Sequence, residues 1–120
     1  MITISCIPHE KQRYPTTGDW LFTRAGDLTI SVSDTGVQHY NFLLALHEMI
    51  EAYLCKAAGI SGSVVDNWDL AHLDSKNPGG LPGCPYAKQH EIAELIEYLV
   101  AKKLDVDWKT YEEALEKLCK

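Results

Sequence analysis

The chain centres on YNFLLALHEMIEAYLCKAA, residues 40–58, a segment whose pattern predicts one long helix. With side chains about 100° apart, apolar residues surround nearly its whole circumference, which is typical of a helix buried on all sides. Gly59 follows directly and suits the position just after a helix end. Three ionisable residues, His47, Glu48 and Glu51, interrupt the middle of this apolar helix and require an explanation.

The flanking segments predict an α+β fold. Alternating polar and apolar residues indicate strands at 2–7 and 28–33, with a third strand at 19–23. A turn at Gly26 and Asp27 suggests a hairpin, in which Leu28, Ile30 and Val32 would face the core and Thr29, Ser31 and Ser33 would point outward. Further helices are expected near 64–70, over 85–104 and after an N-cap at Asp107, and 77–85 is loop. We therefore expect a small N-terminal antiparallel sheet of about three strands, followed by three to four helices.

The bulk composition limits the classes of function. A chain of 120 residues predicts a single domain, 1–120, with its own core. The formal net charge is −6, and Arg13 and Arg24 are the two arginines, which argues against a nucleic-acid partner. No apolar run is long enough to span a membrane and no basic leader opens the chain, so a cytoplasmic location is expected.

The four cysteines do not predict a metal site of their own. They stand at positions 6, 55, 84 and 119, without a CxxC pair. We expect all four to be small buried apolar side chains rather than disulfides or zinc ligands.

The helical projection groups two of the three ionisable residues on one face. Glu51 lies about 40° from His47, one turn further along, whereas Glu48 projects about 100° away. A buried, unpaired carboxylate costs several kcal/mol, and a cation bound between His47 and Glu51 would offset that cost. Alternatively, His47 and Glu51 bond only to each other, and Glu48 reaches solvent at the helix edge.

His47-Glu48-x-x-Glu51 resembles the HExxH signature of the zincin-like metallopeptidases. The resemblance implies a small sheet before the active-site helix, a zinc ion held by His47 and Glu51, and Glu48 as general base. Glu51 stands where the second histidine of the signature is expected, and carboxylate is an accepted zinc ligand. The chain is also similar in size and style to small phage or prophage proteins.

A third ligand is expected from the predicted helix 85–104. His90 lies at the edge of its apolar face, with Glu94 one turn on as a replacement ligand or as an acceptor that orients the imidazole. Alternatively, His90 is a surface histidine. His72 is expected in an acidic surface segment, and His9 and His39 are expected to be exposed.

Three functions remain open. The first is a zinc-dependent hydrolase, such as a peptidase, that acts on a peptide or small-molecule substrate. The second rests on a resemblance to all-α nucleotide pyrophosphohydrolases, in which acidic helices bind magnesium; Glu48, Glu51, Glu94 and Glu97 form two ExxE pairs, although His47 favours zinc over Mg²⁺ or Mn²⁺. The third is a metal-stabilised interaction protein whose acidic surface would suit a basic protein partner.

Overall fold

The computed structural model describes residues 1–119, and over these residues it confirms the α+β class, with three strands followed by four α-helices. The strands are β1 (Ile2–Ile7), β2 (Gly18–Phe22) and β3 (Leu28–Ser33). The helices are α1 (Gln38–Ala57), α2 (Gly62–Ala71), α3 (Ala87–Lys103) and α4 (Trp108–Leu118). Two single 3₁₀ turns, His9–Lys11 and Pro78–Gly80, lie in the connections.

The sheet is mixed, with strand order β1-β3-β2. The predicted hairpin is present: β2 and β3 pair antiparallel through a turn in which Gly26 has a φ of 88°. The antiparallel expectation is wrong for β1, which pairs parallel with β3 from Ile2 opposite Leu28 onward. β2 forms the other edge of the sheet and runs opposite to β1. The chain reverses again at the hairpin, so β3 lies between these two strands and runs parallel to β1. Alternation in the sequence predicts strands but not their direction.

The face of β3 toward the helices forms the centre of the core, as predicted. Leu28, Ile30 and Val32 are buried there. Ser33, predicted to point outward, is also buried, because its hydroxyl donates to the Thr16 carbonyl and lies 2.8 Å from His9 Nδ1. The connection after β1 therefore covers this end of the sheet, and the expectation of an exposed His9 is wrong.

Helix α1 lies between the sheet and α3. Leu44, Ala52 and Cys55 are buried in the main core cluster with Trp20 of β2. The expectation of a helix buried all round is wrong. Phe42 and Tyr53 of α1 are about half exposed, at 52% and 49%. The helix ends before Gly59, whose φ of 74° fits the predicted role.

The remaining helices begin near their predicted starts. Asp107 caps α4 by accepting from the Thr110 backbone N–H at 2.9 Å, as predicted. Ser61 caps α2 by accepting from the Val64 N–H. Helix α3 begins at Ala87 rather than at Pro85. Its inner face and Tyr111 of α4 enclose a second, smaller core cluster against α1.

Two of the four cysteines match the expectation of burial. Cys55 and Cys84 are buried, whereas Cys6 and Cys119 are exposed, which corrects the prediction for those two. Within residues 1–119 no helix combines the length and apolar character needed to cross a membrane.

Candidate metal centre

Two helices bring three potential metal ligands together. Helix α1 presents His47 and Glu51 one turn apart, and α3 presents His90 opposite them. Glu51 Oε2 lies 3.1 Å from His47 Nε2 and 3.0 Å from His90 Nδ1. One donor atom from each side chain falls within 4.8 Å of the other two. Among residues 1–119 this is the one group of His, Cys, Asp or Glu side chains that meets this condition.

Two of the three donor separations, those from Glu51 Oε2 to each histidine, can be compared with a tetrahedral zinc site. Ligand atoms about 2.0–2.1 Å from zinc and a tetrahedral angle apart are separated by about 3.3 Å. The contacts of Glu51 Oε2 with the two ring nitrogens are a few tenths of an ångström shorter, because hydrogen bonds join these atoms directly. An ion bound between them would require the three side chains to move apart, and the group could then hold a metal ion.

The far nitrogen of His47 has a fixed partner. His47 Nδ1 donates to Glu97 Oε1 at 2.7 Å, and the other oxygen of Glu97 accepts from the Tyr111 hydroxyl at 2.5 Å. Glu97 is 5% exposed and Tyr111 is fully buried. This bonding directs Nε2 of His47 toward Glu51, which is the arrangement that histidine ligands commonly have in metal sites.

The two oxygens of Glu51 have separate roles. Oε1 accepts from the indole N–H of Trp20 at 3.1 Å, whereas Oε2 faces both histidines. Trp20 thereby fixes the carboxylate with a single oxygen directed at the candidate ion position. The side chain of Trp20 also packs in the core, so β2 sets the orientation of this ligand.

His90 is held against backbone. A Cβ added to Gly79 would lie only 2.4 Å from His90 Cγ, so the Pro78–Gly80 turn contacts the face of the ring directly. His90 Nε2 lies 3.3 Å from Glu94 Oε2, within ion-pair distance but outside hydrogen-bond geometry. Glu94 is thus next to His90, on the side away from Glu51, which fits the predicted orienting acceptor better than a replacement ligand.

Glu48 lies outside the ligand group and lines the adjoining cleft. Its carboxylate packs against the backbone of β2, where a Cβ on Gly18 would come within 2.4 Å of Glu48 Oε1. Burial, and then the negative charge of Glu51, raise the pKa of Glu48 well above its ordinary value. A carboxylate with a raised pKa beside a candidate metal position suits a general base.

Within the ligand group, the pKa values of the two histidines are raised and the pKa of Glu51 is lowered. Burial disfavours protonation of His47, but its hydrogen bonds with Glu51 and Glu97 outweigh burial and raise its pKa. His90 behaves in the same way, with a pKa of about 9. Burial likewise opposes ionisation of Glu51, but the two histidines lower its pKa to about 2. Without an ion, therefore, the group is held by protonated imidazoles around an ionised Glu51.

A cleft of about 530 Å³ adjoins the group. Its volume lies in the range of ligand pockets. The His47, Glu48 and Glu51 side chains line it. Asp69 of α2 also lines it and accepts from the hydroxyls of Tyr14 and Tyr86. The candidate ligands thus border a space large enough for a small substrate or part of a peptide.

The predicted site residues differ in where the structure places them. His47, Glu51 and His90 come together, Glu94 lies beside His90, and Glu48 lines the cleft. His72 bonds instead to the Trp68 carbonyl at 2.7 Å, and His39 is exposed as expected.

Three contributors to the site were missed from the sequence: Glu97 as the partner of His47, with Tyr111 behind it, and Trp20 as the partner of Glu51. The one available signal was Glu97 itself, a carboxylate on the inner face of α3, seven residues after His90.

Comparison with protein-family models, curated proteins and solved structures finds no match. The functional assignment therefore rests on the residues of this group and the cleft beside it.

Proposed function

We propose that this protein is a zinc-dependent hydrolase of zincin-like type, with His47, Glu51 and His90 as ligands and Glu48 as general base. The observation that carries the proposal is that three donor atoms, one each from His47, Glu51 and His90, lie within 4.8 Å of one another. In addition, Glu97 bonds the second nitrogen of His47, and Trp20 bonds the second oxygen of Glu51. Hydrogen bonds to the outer atoms of ligands are typical of metal sites. The bonds to Glu97 and Trp20 fix the orientation of His47 and Glu51, which a metal site would need.

The donor types favour zinc over magnesium or manganese. Two imidazoles and one carboxylate match a common catalytic zinc set, whereas Mg²⁺ prefers oxygen ligands and retains its waters. The two ExxE pairs do not face a shared magnesium position. Glu97 is bonded to His47 and Tyr111, and Glu48 packs against Gly18. The nucleotide pyrophosphohydrolase alternative therefore has less support.

The chain offers the groups that hydrolysis requires. When bound, zinc would polarise a carbonyl and lower the pKa of a water molecule. Glu48 would accept the proton of that water at its carboxylate and pass it to the leaving group. The cleft beside Glu48 would hold the substrate, and a peptide is the class that the HExxE pattern implies.

Metal content is the first test. The protein should be purified without added metal, loaded with zinc, dialysed and analysed for elements, together with His47→Ala and His39→Ala. We expect one equivalent of zinc in the wild type and in His39→Ala, which changes an exposed histidine of the same helix. His47→Ala should hold none. A wild type without zinc would refute the metal centre.

Hydrolysis is the second test. Zinc-loaded wild type and Glu48→Gln are compared on a fluorogenic peptide library. We expect Glu48→Gln to keep one equivalent of zinc and to lose turnover by about 10²-fold or more, because it lacks the base. Full activity in Glu48→Gln would exclude that role. Zinc binding with no turnover of any peptide by the wild type would instead support a metal-stabilised interaction protein.

A further inference from the structure

The two edges of the sheet differ in how they are covered. At the β2 edge, Gly18, Asp19 and Trp20 are buried, and Arg13 bonds both oxygens of Asp19 at 2.6 and 2.7 Å. At the β1 edge, Ile2 and Ile4 are 46% and 49% exposed. Of the two edges, then, it is β1 that the described part of the chain leaves open.

The hydrogen bonds to β3 show which backbone groups of β1 are unpaired. The carbonyls of Met1 and Ile7 accept from Leu28 and Asp34, at 3.0 and 2.7 Å. In a parallel pair the groups of alternate residues point the same way, so the odd-numbered residues of β1 face β3. The backbone N–H and C=O groups of Ile2, Ile4 and Cys6 therefore point away from the sheet.

β1 lacks the features that usually keep an edge strand unpaired. Its sequence, ITISCI, contains no charged residue, proline or glycine. Edge strands of monomeric proteins commonly carry lysine, proline or a bulge that prevents pairing with another chain. An uncharged edge with half-exposed isoleucines favours the addition of a further strand.

We propose that β1 pairs antiparallel with β1 of a second copy of this chain, so that two sheets join into one of six strands. The arrangement of outward groups favours a second copy over an unrelated strand. Ile2, Ile4 and Cys6 are symmetric about Ile4, so a two-fold axis at Ile4 sets Ile4 opposite Ile4 and Ile2 opposite Cys6. In each of these three pairs the two residues exchange both backbone bonds, which leaves no outward group of β1 unpaired.

Side chains and charge agree with this pairing. Ile2, Ile4 and Cys6 are in register with Leu28, Ile30 and Val32 and share the helix side of the sheet. Pairing would cover Ile4 with Ile4 of the second copy and Ile2 with its Cys6. The net charge of −6 does not oppose it locally, because no charged side chain lies within β1. No residue of β1 lines the cleft, so the dimer would leave the candidate metal centre open.

The contact is limited to one strand from each copy, so we expect a dimer that dissociates on dilution. Interfaces that bury less than about 1,200 Å² in total are typically weak. Sedimentation velocity over the micromolar range measures this directly. Wild type should shift from monomer to dimer with concentration and should not associate further.

Two variants of Ile4 and one control test the assignment to β1. Ile4→Lys places a charge at the two-fold axis, and Ile4→Pro removes an outward N–H that no β3 group accepts. We expect both to remain monomeric, with an unchanged circular dichroism spectrum. Leu95→Lys introduces the same charge at a 56% exposed leucine on α3 and should dimerise like wild type. Dimerisation of a folded Ile4→Lys, or a monomeric wild type at all concentrations, would refute the proposal.

A crosslinking experiment tests the register and identifies the partner strand. In a Cys6→Ser, Cys119→Ser background, Ile4→Cys should form an intermolecular disulfide under mild oxidation. Opposed residues in such a pair have Cα atoms about 5.5 Å apart, within the range that a disulfide spans. Thr3→Cys in the same background is the control. With the two-fold axis at Ile4, position 3 lies opposite Ser5 of the second copy, so the two introduced cysteines are two residues apart and should crosslink at least tenfold more slowly. Equal crosslinking of both variants would contradict this register.

Discussion

Helix α1 has two buried sides that differ in chemistry. The side toward the sheet presents Leu44, Ala52 and Cys55 to apolar side chains of β2 and β3. The side toward α3 presents His47 and Glu51, and these are almost as deeply buried, at 8% and 5% exposure. The first interface is stabilised by removal of apolar area from water, whereas the second depends on hydrogen bonds among ionisable groups.

This difference in chemistry indicates that the interface with the sheet stabilises the fold, whereas the interface with α3 serves a function. Apolar packing of α3 on α1 would be at least as stable, because desolvation of charged groups costs several kcal/mol and their mutual attraction often only balances it. An interface that keeps two histidines and two carboxylates is therefore better explained by a function than by stability. The inner face of α3 supports this explanation, because small Ala93 and Ala101 flank His90 and Glu97 and allow close approach.

The largest expected effect comes from removal of Glu51. Glu51→Ala leaves two protonated histidines and the Trp20 indole N–H without their shared partner, so we expect a loss of about 3–5 kcal/mol in the free energy of unfolding without metal. We also expect complete loss of zinc binding. Urea denaturation followed by tryptophan fluorescence, with chelator and with zinc, measures both effects.

Leu44→Ala is the matched change on the sheet side. It removes buried apolar volume and should cost about 3 kcal/mol. Zinc should still stabilise this variant by the same increment as it does the wild type, because Leu44 packs in the core cluster and offers no donor atom to the ion. If zinc stabilised Glu51→Ala, or failed to stabilise Leu44→Ala, the assignment of the two interfaces would be wrong.

Without metal, the free energy of unfolding should depend on pH through the interface between α1 and α3, because Glu51 and His90, whose pKa values are shifted, meet there. In the folded protein the pKa of His90 is about 9, against 6.5 for a free histidine, so its contribution is complete below pH 6.5 and is lost as pH rises toward 9. Glu51, with a pKa of about 2, loses its contribution as pH falls from 4.5 toward 2. With chelator present, the free energy of unfolding should fall by about 2 kcal/mol from pH 6.5 to 9.

Zinc should oppose the fall in the free energy of unfolding between pH 6.5 and 9, because it binds neutral imidazoles and competes with their protons. The difference in unfolding free energy between zinc-loaded and chelated protein should therefore grow from pH 6.5 to 9. His90→Ala lacks one of the two histidines whose pKa is raised, so its unfolding free energy should fall less over this range with chelator, by the part that His47 contributes. An equally steep fall in that variant would place the effect elsewhere in the molecule.

The smallest expected effect concerns Tyr111, which donates to Glu97 behind His47. Tyr111→Phe keeps the packed ring and removes one hydroxyl, so we expect a loss of about 1 kcal/mol in stability. Zinc affinity should fall by about tenfold, because Glu97 would hold His47 less firmly. Competition with a fluorescent zinc chelator measures the affinity. Tyr40→Phe, on a neighbouring aromatic ring of the same cluster, is the control and should retain full affinity.

Much of the fold and half of the site follow from local patterns. Residues of a helix four positions apart share a face, so the pairing of His47 with Glu51 and the separation of Glu48 were predictable. The hairpin at Gly26 and the cap at Asp107 were predictable for the same reason, because turn and cap preferences act over a few residues. His90 was found by its place at the start of an amphipathic helix, which is a weaker signal.

The sequence by itself determined which residues share a strand or helix face, because those relations repeat with the period of the backbone. The tertiary structure alone decided that β1 runs parallel to β3, that Phe42 and Tyr53 are half exposed, and that Glu97 lies 2.7 Å from His47 across 50 positions of sequence. Contacts of this kind depend on how α1, α3 and the sheet pack, and no local period encodes that packing. The ligands on α1 could therefore be predicted from the chain, whereas the residues that hold them in place required the fold.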